Sequence, residues 1–413
     1  MPREKTIIAL DIGTSNIRLV VAKLREGLAK PQVIGLATVP SQGMRKGVVV
    51  DVVEVIKGIK QARDIVSKTT GLPIDHAFIS IGGSCVTCRP SRGVIAVSRA
   101  DGEISEEDRA RSIAAASAIS IPSNREVLHV LPRRFTVDSA DSIKDPVGMH
   151  GVRLEVDALI VEDSTPFIKN LIKCVREAGL EEDGLLLTPL AAARSILTKR
   201  QKELGVLSLD LGGGTTGLTV YEEGDILHCA ILPVGQMHVT NDIAIGLRVS
   251  IDVAEKIKLA YGTARVAEVK KSEIIDLAKM GEAGGNVSRQ EVAEIMEARL
   301  AEIFDLVNKE LKKIDRVGFL PAGIVLTGGG AKIKGIVEFA KQRLKLPAQL
   351  GFPQELEGLA DQVDDPSFAT VIGLIVSALN DEQKVSGRGL RLGLSQVDES
   401  FGKLKKWVKG FMP

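Results

Sequence analysis

Two short segments have the residue types and spacing to grip a phosphate. Asp11-Ile12-Gly13-Thr14-Ser15-Asn16 lies near the start of the chain, and Asp210-Leu211-Gly212-Gly213-Gly214-Thr215-Thr216 lies about 200 residues later. Each follows a short apolar run (Thr6 to Leu10; Val206 to Leu209) and precedes alternating apolar residues (Ile17, Leu19, Val21; Leu218, Val220). Both therefore read as strand, tight turn, strand. Glycine lets backbone N–H groups approach an anion with no side chain in the way. Thr and Ser hydroxyls add donors. Asp11 and Asp210 are placed to hold Mg²⁺ through water. One such turn is usually only a turn. Two, at corresponding positions of similar halves, predict a duplicated domain that clamps a nucleotide.

A third glycine turn, Thr327-Gly328-Gly329-Gly330-Ala331, follows the apolar strand Gly323 to Leu326 and precedes an expected helix from Ile333 to Leu344. Alone it reads as a plain strand-to-helix loop. In order along the chain, however, the three turns match the phosphate 1, phosphate 2 and adenosine motifs of the actin, Hsp70 and sugar-kinase superfamily. In that superfamily a helix sets a Glu and a Lys against the ribose and purine, and Glu255 and Lys258 resemble that pair. Read without the resemblance, they form an i,i+3 surface ion pair.

The elements that must position these turns follow from pattern and composition. A chain of 413 residues exceeds one ordinary core and predicts two or more domains. Its 44% hydrophobic content supports large cores, built from Val, Ile, Leu and Ala because aromatics make up only 3%. A net charge of +1 argues against a nucleic-acid binder. No apolar signal segment follows Met1-Pro2-Arg3-Glu4-Lys5, and no run approaches the ~20 apolar residues of a membrane span. Four cysteines suit a reducing compartment. Cys85-Val86-Thr87-Cys88 reads as ordinary strand packing, with a zinc or redox role as the alternative.

Residues 5–82 read as strands with one helix, Val52 to Thr70. From Ser84 to Asp157, Gly, Pro and Ser become frequent, and Ser105 followed by three acids marks a helix start. This segment reads as an insertion. Charged helices are expected from Ile251 to Asp315, and a packed helix from Phe368 to Leu379. Residues 381–397 read as a flexible linker.

The last segment, 398–413, differs in character. On a helix, Phe401, Leu404, Trp407, Val408, Phe411 and Met412 fall within an arc of roughly 140°. Lys403, Lys405, Lys406 and Lys409 occupy the rest. A helix of this length reaches only ~20 Å, too short to span a bilayer. The pattern predicts an interfacial helix whose lysines face anionic lipid. Trp407, the chain's only tryptophan, suits the headgroup layer. The other reading is a helix docked on the protein body.

The nucleotide turns, the insertion and this basic amphipathic tail together resemble the bacterial cell-division FtsA family. Local signatures agree over nearly the whole chain. They are Leu128-His129-Val130-Leu131-Pro132, Asp145-Pro146-Val147-Gly148-Met149, Thr240-Asn241-Asp242-Ile243-Ala244, and Ala254-Glu255 through Tyr261-Gly262. The resemblance implies an actin-like α/β fold, a duplicated ribonuclease-H-type architecture around a nucleotide cleft with an inserted α+β subdomain and a C-terminal amphipathic helix. Its parts would be subdomain 1A (1–83, 158–204, 367–380), 1C (84–157), 2A (205–249, 316–366) and 2B (250–315). It also implies ATP with Mg²⁺, filaments at the cytoplasmic face of the membrane, binding of the FtsZ C-terminal tail on 2B, and later division proteins on 1C. Arg299 is the candidate contact for the acidic FtsZ tail.

Departures from the superfamily pattern bear on catalysis. The first helix between the halves begins Ser164-Thr165-Pro166-Phe167 without an acid, although Glu162 and Asp163 stand just before it. The later connecting helix carries Thr188 where relatives such as MreB carry Glu. These departures predict at most slow ATP hydrolysis. A small-molecule kinase of the same superfamily and a PilM-like pilus scaffold are the alternative readings.

Overall fold

The computed structural model describes residues 5–24, 30–281, 285–354 and 357–386. Two sheets repeat one topology. In the first, Lys5–Ile12, Asn16–Leu24 and Gln32–Pro40 form an antiparallel meander, and His76–Ile81 and Glu181–Leu187 add in parallel beside Lys5–Ile12. In the second, Val206–Leu211, Thr216–Glu222 and Asp225–Leu232 form the meander, and Ile324–Thr327 and Ala348–Leu350 add in parallel. Both sheets therefore have the order third, second, first, fourth, fifth. This is the duplication that the paired turns predict.

Each repeat is interrupted at a different point. After His76–Ile81 the chain builds a separate antiparallel sheet in the order Thr87–Ala96, Arg153–Ser164, Arg125–Val137, Ala140–Ile143. Helix Glu106–Ser117 covers it, started by a reciprocal cap between Ser105 and Asp108. Ile104, Phe135, Leu154, Val156 and Ile160 form the core between them. In the second repeat the interruption lies between the third and fourth strands. There, helices Gln236–Leu247, Ile251–Tyr261 and Arg289–Lys312 bury Val239, Ile243, Val253, Ile257, Val292 and Met296 in a cluster of their own.

Two helices, Thr188–Ile196 and Ala369–Ser386, cross behind the first sheet. They meet closely because Gly373 has no side chain; a Cβ there would lie 1.8 Å from the Ala191 carbonyl oxygen. Val371, Ile372 and Ile375 bury the same sheet face as Ile7, Ala9 and Val20. Strand Asp225–Leu232 of the second repeat joins the first: Cys229 and Ile231 belong to the main cluster of the first half.

Two sequence expectations shift. The helix after the third glycine turn starts at Ile336, because Gly329–Lys332 form a single 3₁₀ turn first. Residues 381–386, expected as linker, continue the preceding helix to Ser386. Glu, Gln and Lys at 382–384 are good helix formers by intrinsic propensity. The tail at 398–413, with Phe401, Leu404, Lys405, Lys406, Trp407, Val408, Lys409 and Phe411, lies outside the described residues.

Candidate functional site

The two turns are built alike and face each other. In the first, Ile12 pairs with Ile17 and the Gly13 N–H donates to the Asn16 carbonyl at 3.0 Å. In the second, Leu211 pairs with Thr216. A Cβ on Gly13 or on Gly212 would stand 2.8 Å from the carbonyl oxygen three residues on, so both turns close too tightly for a side chain. Their tips meet. A Cβ on Gly213 would lie 2.0 Å from Ser15 Oγ, and one on Gly214 would lie 2.5 Å from Thr14 Oγ1. The third turn closes behind the second, since a Cβ on Gly328 would lie 2.2 Å from Asp210 Oδ1. Nothing comes within 4 Å of the Cβ position at Gly329.

Of the hydroxyls, Thr216 is committed inside the fold, donating to the Val234 carbonyl at 2.8 Å. Its only proton is therefore unavailable to a ligand, contrary to the sequence expectation. Thr14 Oγ1 accepts the Gly47 N–H at 3.1 Å and keeps its proton for another acceptor.

Asp11 is buried and Asp210 half-buried, with little to balance them. Asp11 accepts the Ser80 hydroxyl at 2.7 Å and has an Arg18 nitrogen at 3.9 Å. Burial nevertheless raises its carboxyl above the usual range. Among the described residues, the hydrogen bond that Asp210 receives is a 3.4 Å contact from the Thr370 hydroxyl. Burial, and then the charge of Asp11, push it up to about 7. Two desolvated carboxylates of like charge are costly when nothing neutralises them.

Gln236 is likewise poorly compensated. Its backbone N–H donates to the Gly212 carbonyl at 2.9 Å, and its amide lies against Gly330, where a Cβ would be 2.6 Å from Nε2. Both amide atoms are buried without a hydrogen-bond partner. A buried carboxamide with neither end satisfied, set between the second and third turns, suits a polar ligand at that place.

Glu255 and Lys258 form the i,i+3 ion pair that their spacing predicts. The pair closes at 2.6 Å, yet Lys258 is buried and also donates to Thr240 Oγ1 at 2.8 Å. The Lys258 ammonium reaches the Gln236 carbonyl at 3.5 Å, which ties the pair to the second turn.

Arg299 departs from expectation. Its guanidinium grips Asp242 through two contacts, one at 2.9 Å, and also reaches Glu302. It ties two helices together rather than standing as a solvated cation, because i,i+3 spacing and the facing helix deliver both acids. Glu162 is likewise internal: almost fully buried, it is held by Arg89 and by Arg125 at 3.3 Å. Asp163 is also buried and pushed up to about 6 by burial. It lines a small cavity beside Gly47 and Phe167. Among the described residues, no three His, Cys, Asp or Glu side chains stand together as a metal site.

Sequence reasoning missed Ser80, Arg18, Thr370 and Gln236. Ser80 and Thr370 are lone hydroxyls inside apolar runs, a signal that could have marked them.

Comparison with known proteins bears on this geometry. Residues 207–373 match the family described as Cell division protein FtsA, and residues 83–162 match the SHS2 domain inserted in FTSA. The chain is 37% identical to Cell division protein FtsA of Pseudomonas aeruginosa, over 98% of both chains. It is 35% identical to that of Bacillus subtilis, over 97% of this chain and 89% of the other. The chain belongs to the FtsA family of cell division proteins. The FtsA-family fold is the duplicated actin-like one. A PilM-PilN type IV pilus biogenesis complex superposes with a TM-score of 0.66 at 18% identity, covering 90% of this chain and 98% of that one. MreB5 of Spiroplasma citri bound to ADP gives 0.53 at 16% identity, covering 93% and 99%. Among the described residues of this FtsA-family chain, no helix is long and apolar enough to cross a membrane.

Proposed function

We propose that this FtsA-family chain binds ATP with Mg²⁺ between its two sheets and polymerises. We further propose that it anchors FtsZ filaments to the cytoplasmic face of the membrane at the division site. The observation that carries the nucleotide reading is the weakly compensated pair of buried Asp11 and half-buried Asp210 beneath two facing glycine turns. Asp11 and Asp210 would hold the metal ion through water. Gly13, Thr14, Ser15 and Asn16 would take one side of the phosphates, and Gly212, Gly213, Gly214 and Thr215 the other. Glu255 and Lys258 would meet the ribose and purine, and Gly328, Gly329 and Gly330 would pass beneath them. Bound Mg²⁺ would neutralise phosphate charge at the aspartates. Spiroplasma citri MreB5, which shares this fold at 16% identity, has been solved bound to ADP.

Nucleotide would act mainly as an assembly ligand, with hydrolysis slow. Glu162 is locked between two arginines, and Thr188 packs against Gly82 at the place where a polar acid would act. Subdomain 2B (250–315) would take the FtsZ tail, the insertion at 84–157 later division proteins, and the tail at 398–413 anionic lipid. The test is co-sedimentation with anionic vesicles, with and without ATP and FtsZ. Deleting residues 398–413 should abolish pelleting and leave ATP binding intact. Unchanged pelleting would sink the anchor reading. Phosphorylation of a small molecule, or pelleting only with a membrane peptide, would favour the kinase or the PilM-like alternative.

A further inference from the structure

The Cys85-x-x-Cys88 motif has no part in the nucleotide site, and the structure gives Cys88 a different sulfur neighbour. Cys88 lies on strand Thr87–Ala96 of the inserted sheet and Cys229 on strand Asp225–Leu232 of the second repeat. The two are 141 residues apart in sequence, yet their sulfurs are 2.6 Å apart. Both sit in the cluster where the two halves share a core, Cys229 fully buried and Cys88 at its half-buried edge. We propose that Cys88 and Cys229 are a peroxide-sensitive modification site, which closes to a disulfide and staples the inserted sheet to the second half.

The order of events follows from exposure. Cys88 meets the oxidant first because Cys229 is sealed from solvent. The contact with Cys88, and then burial, also hold Cys229 as a neutral thiol. The Cys88 sulfur attacks one oxygen of hydrogen peroxide; the O–O bond breaks and hydroxide leaves as water with the thiol proton, giving a sulfenic acid. The Cys229 sulfur then attacks the Cys88 sulfur. The S–S bond forms, the S–O bond breaks, and the second hydroxide leaves as water with the Cys229 proton. Two thiols are oxidised and one peroxide is reduced to two waters. The reaction needs no large backbone movement, because the sulfurs already touch. Such reversible disulfides occur in compartments that keep structural thiols reduced.

The bond would join elements on two sides of the cleft, so the oxidised protein should resist thermal unfolding more than the reduced one. The experiment treats the full chain with hydrogen peroxide, alkylates remaining thiols under denaturing conditions, and maps the digest by mass spectrometry. The expected result is a peptide pair linking Cys88 to Cys229, lighter by two hydrogens and reversed by dithiothreitol. It should persist in Cys85→Ser, vanish in Cys229→Ser, and accompany a melting temperature raised by a few degrees. A Cys85–Cys88 link instead, or full alkylation of both Cys88 and Cys229 after peroxide, would overturn the proposal. The mapping needs only the wild-type chain, so a poorly folding variant would not blur the outcome.

Discussion

Asp11 and Asp210 occupy equivalent places in two equivalent hairpins, yet their surroundings differ. The residue across the ladder from Asp11 is Arg18; across from Asp210 it is Gly217. On the other side, the parallel neighbour of the first strand offers Asp11 the Ser80 hydroxyl at 2.7 Å. The parallel neighbour of the second strand sets Thr327 beside Asp210, but that hydroxyl donates to the Pro366 carbonyl instead. Any side chain at Gly217 would press on Pro189, which would stand 3.0 Å from its Cβ. One backbone plan thus yields one partly balanced aspartate and one nearly unbalanced. The unbalanced one is where a cation gains most.

The largest expected effect tests that asymmetry directly. Asp210→Asn should weaken Mg-ATP binding by about a hundredfold, and Asp11→Asn by about tenfold, as read by titration calorimetry. Equal losses would break the comparison. Without nucleotide the order should reverse. Asp210→Asn should raise unfolding free energy by about 1–2 kcal/mol, because it removes a half-buried, desolvated charge with a single long contact. Asp11→Asn should not, since it leaves Arg18 and Ser80 short of an acceptor.

The pH dependence sharpens the same point. The folded carboxyl of Asp210 is raised to about 7, so between its ordinary value and 7 the folded chain holds the extra proton. Stability of the nucleotide-free protein should therefore fall as pH rises through that window, and Asp210→Asn should lose this contribution. In that variant Asp11 and Asp163, both raised by burial, keep a smaller slope of the same sign, and one histidine opposes it. His129 is lowered to about 4, by burial and then by Arg194, and its Nε2 accepts the Leu187 N–H at 3.1 Å. That contribution is present above the ordinary histidine value and lost as pH falls towards 4. Thermal melts from pH 7.5 to 4.5 would separate the two. The smallest effect is Ser80→Ala, which should cost about 1 kcal/mol and make Asp11 resemble Asp210. Unchanged Mg-ATP affinity at the Asp11 side would count against Ser80 as a positioning donor.

Much of the site was legible because it is local. A tight turn after a strand needs glycine wherever the chain turns back on itself, so Gly13 and Gly212 mark their hairpins in the sequence. The Glu255 and Lys258 spacing is likewise a helix property and reads correctly as an ion pair. Arg299 misled because a solvated helix face and a cross-helix tie look the same until Asp242 is brought opposite. Cys88 packs on its strand as expected, but sequence spacing pairs it with Cys85, whereas the sulfur that touches it across the fold is on Cys229. Polar residues within apolar runs, Ser80 and Thr370, carried a signal that periodicity treats as noise.

Sequence alone determined the duplicated turns, the elements around them and the family, since each rests on local spacing and side-chain type. Only the tertiary structure decided which residue faces which aspartate, that Gln236 lies orphaned between two turns, and that sulfurs from the two halves meet. Those outcomes depend on strand register and on how the repeats pack. Register is a collective result of the whole core, and no short stretch of sequence contains it.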